Sequence, residues 1–193
     1  MSWWHLSEAV ATLRAGGVIA QATEGVWGLA CDPDNLQAVA RVLELKDRAP
    51  GRGLILLGHC SEVFAQELAS LEPADRTRAL GEWPGAATFI VPNCATVPWP
   101  QWICGDHDGV AVRVPGHEQA RSICAGFGGA LVSTSANPSG RAAPTTLLKT
   151  RAYFGSEVDY YLPGEVLNPG NPSRIFDFSA GRSLRGDPAA SRS

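Results

Sequence analysis

The stretch Leu131-Val132-Ser133-Thr134-Ser135-Ala136-Asn137-Pro138-Ser139-Gly140 runs from apolar residues into hydroxyls, an amide and a turn. This order is typical of a buried strand that feeds a polar loop at its carboxyl end, where open α/β sheets hold their ligands. Hydroxyl, amide and backbone N–H groups there can donate hydrogen bonds to phosphate or carboxylate oxygens. The alternative is an ordinary turn, because Ser and Thr also cap helices and shape loops. The stretch therefore indicates an α/β fold and marks a candidate anion site.

Hydrophobic periodicity on both sides of this stretch extends the α/β interpretation. Apolar residues at helical spacing predict helices over 6–13, 36–46, 61–69, 73–83, 117–125 and 146–154. Short apolar runs predict strands over 18–20, 53–57, 87–91, 109–114, 130–133 and 158–162, and a terminal hairpin over 173–178 and 182–184. The exit of the first strand, 21–28, is polar and glycine-bearing, and a Pro- and Trp-rich loop holds Trp99 and Trp102. Helices and strands do not alternate strictly, so we expect a twisted mixed sheet with flanking helices.

Length and composition are those of a globular chain. The 193 residues fit one domain over 1–185 with a short polar tail over 186–193. The chain has no apolar run of about 18 residues and no secretion signal at its start, so we expect a cytoplasmic protein. Its net charge of −3 argues against a generally basic coat for nucleic acid.

Cysteine and histidine spacing gives no metal or disulfide signal. The five cysteines contain no C-x-x-C pair, and the four histidines show no ligand spacing. We therefore assign no residue to a metal.

Two sets of basic residues are candidates for binding anions. Lys46, Arg48 and Arg52 place three cations within seven residues, as phosphate recognition requires, although a solvated helix C-terminus would also favour them. Arg113 lies inside an apolar strand, where an unpaired guanidinium would be costly. We therefore expect Arg113 to pair with a carboxylate, which belongs either to a ligand or to the protein itself.

The other candidates are weaker on their residues alone. Thr23 and Glu24 leave a buried strand where a ligand could enter, but turn statistics favour a turn at Thr23 and a surface charge at Glu24. Ser173 and Arg185 would be a turn residue and a tail charge. The chain has neither a Walker A pattern nor G-x-G-x-x-G, so neither standard nucleotide fold is indicated.

Taken in order, several of these elements resemble the YrdC/TsaC family of threonylcarbamoyl-AMP synthases over nearly the whole chain, from about Leu6 to Arg185. The elements that carry the resemblance are Thr23-Glu24 with Trp27-Gly28-Leu29, Leu45-Lys46-Asp47-Arg48, Trp83-Pro84-Gly85-Ala86-Ala87-Thr88, Val112-Arg113-Val114-Pro115, Ser133–Gly140 and Pro172-Ser173.

The resemblance implies a YrdC-like α/β fold around a large, positively lined concave cavity. There ATP, with Mg²⁺ carried on it, L-threonine and bicarbonate would give threonylcarbamoyl-AMP and pyrophosphate. A downstream transferase complex would then modify tRNA, and tRNA or double-stranded RNA is a further expected partner.

The resemblance also implies residue roles, with no catalytic side chain and no protein-bound metal. The residues expected to contact ATP are Lys46, Arg48, Arg52, Ser135 and Arg185. Those expected to bind threonine are Thr23, Arg113, Ser133 and Ser173, with Arg113 on the carboxylate. Asn137 and Ser139 are expected as loop contacts.

Two rival functions remain at this point. A basic cavity could recognise structured RNA, such as tRNA or a ribosomal precursor, without catalysis. A related domain also takes part in carbamoyl chemistry during hydrogenase maturation, but within a longer chain whose acylphosphatase-like and zinc-finger segments are missing here.

Overall fold

The computed structural model describes residues 3–93 and 96–186. Its α-helices are α1 (Trp3–Arg14), α2 (Leu36–Leu45), α3 (Ala65–Ala69), α4 (Pro73–Glu82), α5 (Gln101–Cys104), α6 (Glu118–Phe127) and α7 (Leu147–Phe154). Its strands are β1 (Ile19–Ala22), β2 (Trp27–Cys31), β3 (Ile55–Leu57), β4 (Ala87–Pro92), β5 (Gly109–Arg113), β6 (Leu131–Ser135), β7 (Tyr160–Tyr161), β8 (Arg174–Asp177) and β9 (Arg182–Arg185). Short 3₁₀ turns occupy Pro50–Arg52 and Ser61–Phe64.

Within these ranges the strands form one nine-stranded mixed sheet in the order β7-β1-β2-β6-β3-β5-β4-β8-β9. Three neighbouring pairs, β1 with β7, β3 with β5 and β4 with β8, are parallel, and the other pairs are antiparallel. The expected twisted mixed sheet with flanking helices is confirmed. The last residues of the expected tail, 187–193, lie outside the described residues.

Local sequence explains most of the elements. Asn35 caps α2 because its side-chain oxygen accepts hydrogen bonds from Gln37 N and Ala38 N, each at 3.1 Å. The α2 stripe that includes Val39 and Val42 is buried against the sheet. The terminal hairpin forms as predicted from β8 and β9.

Two elements were not predicted. β2 is buried at every residue, so its sequence lacks the alternation that marks a half-exposed strand. α5 is a single turn inside the Pro- and Trp-rich loop, too short for a hydrophobic period.

Alternation along the strands places one set of side chains along a cavity on one face of the sheet. Ile55, Ala111, Ile90 and Asp177 are successive register partners on β3, β5, β4 and β8, and all four line that cavity. Side chains that occupy such a row point to the same face of a sheet. The cavity floor is therefore the sheet itself, which fixes the spacing of the groups along it. None of the helices in the described ranges has the length and apolar character needed to cross a bilayer.

Candidate active site

A cavity of about 680 Å³ opens over this sheet face. Loops from both halves of the chain contribute to its wall, including Thr23, Arg52 and Pro172. In the part of the chain that the structure describes, five arginines line it against three aspartates. These residues are Arg48, Arg52, Arg113, Arg182, Arg185, Asp106, Asp108 and Asp177. The excess of positive charge suits an anionic ligand.

One end of the cavity is built around a buried ion pair. Arg113 Nη2 lies 2.5 Å from Glu24 Oε2, and both residues are only 6% exposed. Arg113 Nε also donates to Gly85 O at 3.0 Å, and Glu24 Oε1 accepts from Gly116 N at 2.5 Å. These contacts hold the guanidinium in one orientation at the carboxyl end of β5. The carboxylate that Arg113 contacts in this structure belongs to the protein, and the expectation that Glu24 is a surface charge was wrong.

A second arginine lies at the same end. Arg185 Nε donates to Ser173 O at 2.8 Å and its Nη2 to Ser173 Oγ at 3.0 Å. Ser173 Oγ in turn lies 3.0 Å from Thr88 Oγ1. Burial lowers the pKa of Arg185, and the positive charge of Arg113 lowers it further. We call Glu24, Arg113, Ser173 and Arg185 the ion-pair end.

The ion-pair end carries an uncompensated charge. Its charged groups are two guanidinium groups, Arg113 and Arg185, and one carboxylate, Glu24, so this set of groups has a formal charge of +1. A ligand with one carboxylate would balance it.

The opposite end is more open. Arg48 is half-buried and its Nη2 donates to Arg52 O at 3.1 Å and Gly53 O at 2.8 Å, whereas Arg52 is exposed. Burial and the nearby Arg52 charge lower the pKa of Arg48. Ser135, at the end of β6, lines the same cavity. We call Arg48, Arg52 and Ser135 the open end.

Strand β5 runs from one end of the cavity to the other, because Asp106, just before the strand, donates through its N–H to Gly51 O at 3.0 Å, beside Arg52, whereas Arg113 is the last residue of the strand. Gly109, Ala111 and Arg113 all line the cavity, which is the period expected of one strand face. The four residue steps from Gly109 to Arg113 span roughly 13 Å. A ligand that reached both ends would therefore need to be an extended molecule, or two molecules side by side.

Lys46 does not line the cavity. It is 4% exposed, and its Nζ donates to Ser135 O and, at 2.9 Å, to Asn137 O. Burial, reinforced by the charge of Arg48, lowers the pKa of Lys46 to about 8. Its ammonium therefore holds the loop after β6 against the end of α2.

Asn137 and Ser139 also lie outside the cavity lining. Ser139 N donates to Lys46 O and Ser139 Oγ to Asp47 O, both at 2.7 Å. Asn137 Nδ2 donates to Arg141 O at 2.7 Å. These two residues shape the loop from within.

The structure thus brings eight of the eleven expected site residues to one cavity: Thr23, Arg48, Arg52, Arg113, Ser133, Ser135, Ser173 and Arg185. Thr23 also makes the predicted turn, since its Oγ1 donates to Val26 O at 2.7 Å. Sequence reasoning missed the roles of Glu24 and Thr88 and the three cavity-lining aspartates. The buried arginine at position 113 signalled that a carboxylate partner was needed, but nothing in the sequence said which one.

No three His, Cys, Asp or Glu side chains within residues 3–93 and 96–186 come together as a metal-binding group. The mixed sheet and its cation-lined cavity define an α/β protein with a site suited to small anionic ligands. The chain belongs to the Sua5/YciO/YrdC family, whose model, described as "Telomere recombination", matches residues 11–186.

Curated relatives match almost end to end. The chain is 44% identical to the threonylcarbamoyl-AMP synthase of Halorhodospira halophila over 94% of each chain. It is 43% identical to the enzyme of that name from Hahella chejuensis, over 96% of this chain and all of the relative.

Solved structures agree on the fold. P. abyssi Sua5 complexed with L-threonine superposes with a TM-score of 0.86 at 28% identity over 93% of this chain. The chain spans about half of that protein, 52% of its length. E. coli YciO, at 22% identity and a TM-score of 0.76 over 89% of this chain and 82% of its own, shares the fold.

Proposed function

We propose that this protein is a threonylcarbamoyl-AMP synthase. It would convert L-threonine, bicarbonate or CO₂, and ATP to threonylcarbamoyl-AMP and pyrophosphate, a nucleotidyl transfer. The observation that carries the proposal is the convergence of the ion-pair end and the open end on one 680 Å³ cavity. The near full-length relatives of that name support it.

We assign threonine and ATP to the two ends of the cavity by comparing the charge of each end with the charge of each substrate. The ion-pair end carries one unbalanced positive charge, which suits the single carboxylate of threonine on Arg113, with Ser173, Ser133 and Thr23 near it. The triphosphate, with its Mg²⁺, carries several negative charges and suits Arg48 and Arg52. Ser135 lines the same cavity, and Arg185, which is bonded to Ser173, would contact the nucleotide from the ion-pair end. Lys46 supports this site by holding the loop that ends at Ser139.

The reaction proceeds in two bond-forming steps. CO₂, used directly or formed from bicarbonate by loss of hydroxide, is attacked at carbon by the threonine nitrogen, which loses a proton and gives a carbamate. A carbamate oxygen then attacks the α-phosphorus, and the bond between the α-phosphorus and the bridging oxygen breaks, so that pyrophosphate leaves with the electron pair. Such a reaction depends on positioning and on neutralising phosphate charge, which arginines gathered around one cavity can supply.

The wider assignments belong to the same proposal. We infer one domain over 1–185, a cytoplasmic location, and a downstream complex that transfers the threonylcarbamoyl group to tRNA. Direct contact with tRNA or double-stranded RNA would follow from the same positive groove.

The test is to incubate purified protein with MgATP, labelled bicarbonate and L-threonine. We expect labelled threonylcarbamoyl-AMP and one pyrophosphate per adenylate, both dependent on threonine. Omission of threonine, and its replacement by threoninol, which lacks the carboxylate, are the matched controls. The protein is a non-catalytic RNA-binding module instead if it makes no adenylate and binds RNA selectively, with an RNA affinity that neither threonine nor threoninol changes.

A further inference from the structure

Residues 163–172, which lie in the connection between β7 and β8, cross over the turn that follows β1. Asn168 N donates to Glu24 O at 2.6 Å, and Gly170 N donates to Gly25 O at 2.9 Å. Two backbone hydrogen bonds therefore fasten this otherwise largely exposed segment to the residues beside Thr23.

Gly25 makes this close approach possible. A Cβ atom on Gly25 would come closer to the carbonyl oxygen and carbon of Asn171 than nonbonded atoms approach, and would lie 3.1 Å from Asn171 N. The obstacle is backbone, which cannot move aside as a flexible side chain would. Gly25 is not among the glycines with a positive φ, so the requirement at position 25 is for space rather than for an unusual backbone conformation.

The seating of this segment decides where the next residues lie. Pro172 and Ser173 follow Asn171 directly, and both line the cavity. Ser173 is 6% exposed and contacts both Arg185 and Thr88 through its hydroxyl. A shift of Asn171 away from Gly25 would therefore be passed to Ser173 and to the guanidinium bound to it.

We propose that Gly25 is a positioning residue for the amino-acid substrate. It contacts no substrate itself, but it seats the 163–172 segment so that Ser173 and Arg185 complete the ion-pair end. The proposal rests on the proposed function, in which this end takes the carboxylate of threonine.

The main test compares Gly25→Ala with Gly129→Ala. Gly129 also lacks a positive φ and has open space around its Cβ position, so it controls for the loss of a glycine as such. We expect the KM for threonine to rise about tenfold or more in Gly25→Ala, because small displacements of positioning groups are costly, while the KM for ATP changes less than about twofold. Gly129→Ala should leave both constants unchanged. An unchanged threonine KM, or equal rises in both constants, would overturn the proposal.

A double-mutant cycle tests whether Gly25 acts through Ser173. If it does, Gly25→Ala should add little to the threonine defect of Ser173→Ala. Fully additive defects would show that Gly25 acts by another route and would contradict the proposal.

A milder variant keeps the test valid if Gly25→Ala does not fold. Gly170→Ala strains a residue with φ of +87° at one of the two fastening points, and Gly155→Ala strains a residue with φ of +51° on a remote helix end. Only Gly170→Ala should raise the threonine KM, by about threefold. Equal behaviour of the two variants would count against the proposal.

Backbone hydrogen exchange separates this proposal from the proposed function. We expect the Asn168 and Gly170 amides to exchange faster in Gly25→Ala than in Gly129→Ala. Faster exchange shows that the 163–172 segment is less firmly bound to the turn after β1, and this readout does not depend on catalytic activity. Unchanged exchange overturns the positioning proposal alone. Absence of product from the wild-type protein overturns the proposed function, and with it the assignment of this end to threonine.

Discussion

The two ends of the cavity hold their cations in different ways. At the ion-pair end, Arg113 is buried, paired with Glu24 and fastened to Gly85. At the open end, Arg48 is half-buried and holds backbone carbonyls, while Arg52 is exposed to solvent. A buried arginine that already has a partner is held in one orientation, so it favours a ligand whose charge and shape fit that orientation. An exposed arginine attracts any phosphate, and salt screens its charge. We infer that specificity resides at the ion-pair end and that charge neutralisation resides at the open end.

The largest effect is expected from Arg113→Ala. This change removes the proposed carboxylate ligand and leaves Glu24 buried without its partner. We expect kcat/KM for threonine to fall about 100-fold, since a charge-assisted contact contributes up to about 3 kcal/mol. The free energy of unfolding should fall by about 3–5 kcal/mol. Pyrophosphate release with each substrate varied, and urea denaturation, measure the two quantities. A larger defect for ATP than for threonine would reverse our assignment of the two ends.

A smaller effect is expected when the partner of Arg113 changes instead. Glu24→Gln keeps the shape of the side chain but removes its charge, so the Arg113 guanidinium is less firmly oriented. We expect kcat/KM for threonine to fall about 30-fold and the KM for ATP to stay within about twofold. Glu44→Gln, at an exposed residue of α2, is the matched control. If Glu24→Gln matched the control, the ion pair would have no part in substrate binding.

At the open end, Arg48→Ala should raise the KM for ATP about tenfold and leave the KM for threonine nearly unchanged. Arg52→Ala should have a weaker effect of the same kind, because its guanidinium is exposed.

Repeating the assay at about 0.05 and 0.5 M KCl sharpens the comparison, since salt screens exposed charges most. Wild-type KM for ATP should rise with salt more steeply than KM for threonine. Equal salt sensitivity would mean that the two ends are equally accessible to solvent.

The smallest effect is expected on the pH dependence of stability and concerns Lys46, whose buried ammonium is bonded to the backbone of Ser135 at the open end. Its pKa is lowered by burial from 10.5 to about 8, so between these values the unfolded chain binds more protons than the folded one. Stability should therefore rise with pH across this window, by on the order of 2 kcal/mol relative to Lys46→Met. Urea denaturation of both proteins between pH 7 and 10 measures the difference. A constant difference would mean that the pKa of Lys46 is not lowered.

Much of the fold could be predicted because its signals are local. The apolar stripe of α2 and the terminal hairpin each depend on residues within one helix face or one pair of strands close in the chain. β2 was missed for a physical reason. A strand covered on both faces has no alternation, so its neighbours in space, rather than its sequence, make it a strand.

The sequence by itself determined which residue types were available, and it placed hydroxyls at the end of β6 and in the loop after it, three cations after α2 and one costly arginine at the end of β5. Only the tertiary structure decided how they are used. It paired Arg113 with Glu24, buried the Lys46 ammonium against the carbonyls of Ser135 and Asn137, and brought Ser173 and Arg185 near Arg113 at the end of β5. The reason is that the burial and orientation of a side chain depend on strands and loops far away in the chain. The same Lys-x-Arg pattern can therefore place one cation in the cavity and the other in the wall that supports it.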